Sequence, residues 1–244
     1  MKLLLYCILF KDQAAVIEGV PDGIESGSPR VIESNGLGAV VSVVPENTLP
    51  ADTSAILAYH RVIEWFHNHC DVIPLRFGAV VDDEAEVERL LDRHGQRYET
   101  MLKELAGCAE MGVRIIGATP TPTEPCGYSG GSSLNYTGNG ARYLAERKAR
   151  HDTESLAVEH FNNVIAQYRS RFEGMFINFK SEISKSTSVV GRHDSFLVSL
   201  YFLVPKESVE EFRNIYAKLK LESAFKILMS GPWPPYNFVL PDDY

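Results

Sequence analysis

Positive charge is scarce in this sequence. Lys and Arg total 24 against 32 Asp and Glu over 244 residues, a formal net charge of -8, and no basic stripe offsets that balance. A nucleic-acid backbone or an anionic membrane surface is recognised by clustered cations, so neither is expected as the main partner. Long apolar runs are missing too. The longest near the N-terminus, LLLYCILF from Leu3 to Phe10, is too short to span a bilayer, has only Lys2 before it and lacks a small-residue cleavage site after it. It reads as a first strand. Cys7, Cys70, Cys108 and Cys126 are scattered with no CxxC, in a chain too large to depend on disulfides, and read as reduced thiols in a cytosol. GxxxxGK[ST] and GxGxxG are both absent, which removes the usual signatures of a P-loop and a dinucleotide fold.

What is present is a well-patterned α+β chain, 45% hydrophobic and long enough for two domains. Strands are expected at Leu3–Phe10, at the β-branched run Leu37–Val44, and at 72–81 (VIPLRFGAVV), where Pro74 points to an edge or irregular entry. Asp52 or Thr53 can cap a helix with Ile56, Tyr59, Ile63 and Phe66 on one face, ending near His69. The clearest helix runs from about Asp83 to Leu105, with Val87, Leu90, Leu91, His94, Tyr98, Leu102 and Leu105 in one stripe and Gly107 as its stop. Beyond it come a short strand at Met111–Gly117, a Thr/Pro/Gly/Ser/Asn-rich loop over 118–140, and a helix over 141–172. Strands at Met175–Ile183 and Ser195–Val204, a helix at 207–220 and a strand at Ser223–Gly231 complete the order. From Met111 onward that order is βαββαβ, the ferredoxin-like one, while the N-terminal part reads ββαβα. The expected divisions are 1–107, 108–230 with the variable loop 118–140, and a tail over 231–244.

Several constellations look chemical and fail on spacing. HNHC offers His67, His69 and Cys70, but two residues apart on a helix the two rings point about 200° from each other, and no second ligand pair stands at zinc-like spacing. His94 lies on an apolar stripe and reads as a hydrogen-bonded core residue. His193, Ser186 and Ser188 belong to a polar connection, and the glycines of Gly127–Gly140 have no adjacent lysine to complete a phosphate cradle. Asp82 with Asp83, and Asp242 with Asp243, read as capping or solvated groups. Phe176 and Phe179 are expected on opposite faces of one strand, which gives little support to an RNA-stacking sheet. Arg76, flanked by Leu75 and Phe77, either faces solvent by alternation or pairs with a carboxylate, for which Glu110 in the AEMG turn is the candidate. No catalytic, cofactor-binding or metal residue is expected, and no cofactor.

The run GPWPPYNFV, Gly231 to Val239, stands apart. Pro232, Pro234 and Pro235 exclude a helix interior or a central strand, so a stiff ribbon is expected that carries Trp233, Tyr236 and Phe238 with little entropy left to lose on docking. Together with PLRFG (Pro74–Gly78), GCAEMGVRI (Gly107–Ile115) and ARYLAERKAR (Ala141–Arg150), this run resembles the gas vesicle protein GvpF/GvpL family, in the family's order and over nearly the whole chain. The resemblance implies a two-domain protein with a ferredoxin-like C-terminal domain. It also implies a non-enzymatic accessory role in assembling gas vesicles, the gas-filled shells that give buoyancy, in contact with the shell protein GvpA and other accessory proteins, in the cytoplasm and without nucleic acid or membrane. Arg76, Phe77, Glu110, Trp233, Pro234, Tyr236 and Phe238 are the structural or partner-contact candidates. The tail is expected to clasp the N-terminal domain. The rival reading is a ferredoxin-like small-molecule-binding regulatory protein, which would show a deep cleft with convergent polar groups.

Overall fold

Strand β1 (Lys2–Phe10) has partner strands on both sides and a helix over each face, so every side chain from Leu3 to Leu9 is buried. The computed structural model describes residues 2–14, 19–45, 49, 52–118, 159–186 and 195–239. Leu3, Leu5 and Ile8 fall in one core cluster and Leu4, Tyr6, Cys7 and Leu9 in another. The alternation breaks at a register shift between Leu5 and Cys7, a bulge that turns two successive residues to one face. Two further strands, β2 (Arg30–Ser34) and β3 (Leu37–Val44), form a hairpin beside β1. β2 is absent from the sequence reading. Its signal is the pair Asn35–Gly36, at φ 45° and 84°, the residue types that a two-residue hairpin turn needs at positive φ.

Helix α1 (Thr53–His69) covers one face of this sheet and α2 (Glu84–Leu105) the other. Asp52 caps α1 by accepting from the Ala55 N–H and Asp83 caps α2 by accepting from the Glu86 N–H. Tyr59, Ile63 and Phe66 of α1 are buried as expected, but Ile56 is not. Ala55, Ala58, Tyr59, Val62, Ile63 and Phe66 are buried, while Ile56 and Leu57 are 46% and 54% exposed.

The single strand expected over 72–81 is two stubs, β4 (Ile73–Pro74) and β5 (Val80–Val81), paired to opposite ends of β1. Between them PLRFG loops out. Pro74 has no N–H to continue a ladder, and the Tyr59 hydroxyl inserts here, its single donor within reach of the carbonyl oxygens of Leu5, Arg76 and Leu75 at 2.9, 3.0 and 3.1 Å. The first sheet therefore has the order β2-β3-β1-β4, with β5 also on β1.

The second sheet is antiparallel with the order β7-β8-β6-β9: β6 (Cys108–Ala118), β7 (Asn178–Ser186), β8 (Ser195–Pro205) and β9 (Lys226–Trp233). β6 begins three residues earlier than expected, so Glu110 is in a strand and not a turn. β9 ends two residues later, at Trp233, which an edge position permits despite Pro232. The helix α3 (159–171) and α4 (Val209–Glu222) supply Phe161, Tyr168, Phe212 and Tyr216 to the core on one side of this sheet. Phe176 precedes β7, and both it and Phe179 contact Phe202, which corrects the expectation of opposite faces. Of the loop expected over 118–140, Ala118 ends β6; the rest of it, the first half of the 141–172 helix and His193 lie outside the described residues.

Cys108, Leu203 and Phe238 belong to the same cluster as Leu5, Leu91 and Leu102, so the α2 core is continuous with the second sheet. Among the described residues α1, the first sheet and α2 stack in that order, the second sheet meets this stack at Cys108 and Leu203, and α3 and α4 pack on one face of the second sheet. No helix among them is long and apolar enough to cross a membrane.

Candidate functional site

The expected site residues fall in two places. Glu110, Trp233, Pro234, Tyr236 and Phe238 converge where the last strand leaves the second sheet; Arg76 and Phe77 sit in the PLRFG loop at the edge of the first. Glu110 is 4% exposed and lies opposite Leu203 on β8 and Trp233 on β9. Its two carboxylate oxygens accept from Asn237, one from the side-chain Nδ2 at 2.6 Å and one from the backbone N–H at 2.8 Å. Lys180 Nζ donates to the Asn237 carbonyl at 2.7 Å and lies 5.7 Å from the centre of the Phe238 ring. Burial pushes the Glu110 carboxyl above its usual range, opposed by the Asn237 donors and the Lys180 charge.

Arg76 and Glu110 are not partners. The carboxylate is engaged by Asn237, and Arg76 is exposed. Its neighbour Phe77 packs edge-to-face on Tyr59 at 5.4 Å and joins the α1 core.

Gly231 makes the entry to the tail possible. It sits at φ 106° before a cis bond to Pro232, and a Cβ placed on it would lie 2.5 Å from the Glu110 carbonyl oxygen. Trp233, 38% exposed, then meets His60 of α1 at 5.4 Å. Tyr236 packs on the α1 core, its hydroxyl 3.0 Å from His60 Nδ1. Burial raises its phenol, and the nearby Cys7, Glu64 and Glu110 act in the same direction. Phe238, 8% exposed, packs on the α2 core. Tyr236 and Phe238 thus lie on opposite faces of the first sheet, so residues 234–239 straddle its edge.

HNHC does not assemble. His67 and Cys70 turn inward, whereas His69 stacks on Trp65 at 4.2 Å. Burial, with Asp71 nearby, pushes the Cys70 thiol to about 11, so it holds its proton. His67 is 4% exposed and neither ring nitrogen has a hydrogen-bond partner. Burial and then the Lys206 charge lower it to about 4. Lys206 Nζ donates to the His67 carbonyl at 2.7 Å and the Lys206 N–H to Gly107 O at 2.8 Å, a second tie between α1 and the C-terminal strands. Among the described residues no group of three His, Cys, Asp or Glu could hold a metal.

Sequence reasoning missed Asn237, His60, Lys180 and Lys206. Asn237 carried a signal: it is the one side chain between Tyr236 and Phe238 that can donate to a buried carboxylate. The other three meet their partners only through the tertiary fold.

Gas vesicle protein L1 of Halobacterium salinarum is 21% identical to this sequence over 96% of the chain and 89% of its own length. Gas vesicle protein F of a Streptomyces species is 24% identical over 86% and 87%. The fold matches the crystal structure of GvpF from Microcystis aeruginosa with a TM-score of 0.73 at 17% identity, over 97% of this chain and 98% of that one. GvpF from Anabaena matches at 0.69 and 18%, over 100% and 98%. Residues 2–240 match the family described as gas vesicle synthesis protein GvpL/GvpF, and the chain belongs to that family.

Proposed function

We propose that this chain is a non-enzymatic accessory protein of gas vesicle assembly that acts in the cytoplasm by contacting the shell protein GvpA and other vesicle accessory proteins. The observation that carries the reading is the family match over residues 2–240. The strand order β7-β8-β6-β9, with helices after β6 and β8, supports a ferredoxin-like C-terminal domain over 108–230. The first sheet with α1 and α2 supports an N-terminal domain over 1–107, and the tail from 231 onward is the clasp between the two.

Within that clasp Glu110, Pro234, Tyr236 and Phe238 are structural, because they are buried or pack on a core. Phe77 anchors the PLRFG loop. Trp233 and Arg76 are the partner-contact residues, both exposed. Trp233 lies against His60 of α1, the helix that also exposes Leu57, and together they offer an apolar surface to a hydrophobic shell subunit. The small-molecule reading is not favoured: the chain matches gas vesicle proteins over nearly its whole length, and a depression of about 540 Å³ is lined by α2 side chains between Arg93 and Glu104.

Capture of the shell protein by the purified intact chain tests the reading. Trp233→Ala and Arg76→Ala should each weaken capture while the circular dichroism spectrum stays unchanged. Undiminished capture by both variants, or none by the intact chain, would overturn it.

A further inference from the structure

Each sheet ends in two edge strands, and three of the four edges are guarded against a further strand. β2 is five residues long, follows Pro29, and has Arg30 paired with Glu84 at 2.5 Å and Glu33 with Lys11 at 2.8 Å. The β4/β5 edge is broken by the PLRFG loop. β9 carries Pro232 and a register shift opposite Glu110 and Gly112. β7 carries charge, in Lys180 and Glu182, but no proline, bulge or break. Its nine residues, NFKSEISKS, include neither proline nor glycine, and among the described residues no strand pairs with its outer side. Ile183 is 40% exposed and Ile177, just before the strand, 60%.

We propose that β7 pairs with β7 of a second copy of this chain, antiparallel across a two-fold axis through Ser181, joining two four-stranded sheets into one. Residues opposed in an antiparallel pair project to the same face. A two-fold axis that keeps both sheets facing the same way must therefore pass through a residue and not between two. Placed at Ser181, the axis sets Lys180 opposite Glu182 and Phe179 opposite Ile183, each pair occurring twice. Phe179 already lies on the helix-covered face against Phe202, at 5.1 Å, so the partner's Ile183 would extend that apolar layer. Lys180 and Glu182 project to the other face, where Lys180 Nζ keeps its bond to the Asn237 carbonyl and has two further donors, and Glu182 Oε2 accepts from Tyr201 and leaves Oε1 to pair. An axis at Lys180 or at Glu182 sets that charge against its own copy, and an axis at Ile183 sets both charges opposite serines. The Ser181 register is the one that matches charges and apolar residues together.

The test is the mass of the full chain in solution, by sedimentation over a wide concentration range. The intact chain should reach twice its monomer mass. Lys180→Glu and Glu182→Lys should each stay at monomer mass where the parent has dimerised, since each sets two pairs of like charges face to face. Mixed in equal amounts, the two variants should regain the dimer mass, because each supplies the charge that the other's edge lacks. A second probe does not depend on either charge. In a Cys126→Ser background, with the buried Cys7, Cys70 and Cys108 left in place, Ser181→Cys should form a covalent dimer on oxidation and Ser184→Cys should not; opposed residues at the axis lie about 4.5–5.5 Å apart between Cα atoms, within disulfide reach. A monomeric parent at every concentration overturns the proposal. So does a mixture that stays monomeric beside a dimeric parent, or equal cross-linking of the two cysteine variants.

Discussion

Glu110 and Asn237 are 127 residues apart in the chain, yet both oxygens of the buried carboxylate accept from that one asparagine. The pair ties the first strand of the second sheet to the tail at the point where the tail crosses to the first sheet.

Asn237→Ala removes the side-chain donor and leaves Glu110 Oε1 buried without it. A buried polar group stripped of its partner costs about 1–3 kcal/mol, and denaturant unfolding should show a loss of that size. An unchanged midpoint would mean that the tie adds nothing to stability.

Gly231→Ala should be destabilising for two reasons that act together. Its φ of 106° strains any L side chain, and the added Cβ would stand 2.5 Å from a backbone oxygen. The strain alone is about 1–3 kcal/mol. Thermal melting of the variant beside Gly36→Ala, where the hairpin turn needs positive φ but the Cβ meets nothing within 4 Å, separates strain from collision, and Gly231→Ala should melt lower.

Phe238→Ala and Trp233→Ala should part company. Phe238 is 8% exposed within a core cluster, and emptying such a site costs about 3–5 kcal/mol. Trp233 is 38% exposed, with His60 as its ring contact, so its removal should lower stability by less. Chemical unfolding of the two variants gives the order directly; a larger loss for Trp233→Ala would place the clasp at the wrong ring.

His67 should make stability fall in mild acid. Its native value of about 4 lies below its unfolded value of 6.5, so the unfolded chain binds the extra proton between those limits. The stability it contributes is present in full above pH 6.5 and is lost as pH falls toward about 4. A shift of that size corresponds to about 3 kcal/mol. Glu110, raised instead of lowered, works in the opposite direction at acidic pH, so the comparison must be between parent and variant. His67→Leu should flatten the difference across the window and, having no buried ring nitrogens to satisfy, should be at least as stable as the parent at pH 7.

Much of this architecture was legible from periodicity. The stripe from Val87 to Leu105 marked the helix that packs on the first sheet, and continuous apolarity in Ser195–Val204 pointed to a central strand, which β8 is, between β7 and β6. Misreadings arose where local chemistry overrode pattern. Asn35–Gly36 is a turn signal only once the short, half-polar segment before it is taken as a strand. Pro74 and the Tyr59 hydroxyl break a run that looks continuous. The tail's rings were conspicuous in the sequence and a clasp on the N-terminal domain was expected, but not that Tyr236 and Phe238 would lie on two faces of a sheet whose strands are far away in the chain. Alternation left Arg76 open between solvent and a carboxylate such as Glu110; the fold sends that arginine to solvent and satisfies the acid with an amide.

The central claim is that this chain takes part in building gas vesicles. The most direct measurement is electron microscopy of vesicles in a host whose gas vesicle genes include this one, with and without a clean deletion of its coding sequence. The account expects vesicles to be missing or malformed in the deletion and restored when the intact chain is supplied. Vesicles of normal number and shape in the deletion would contradict it.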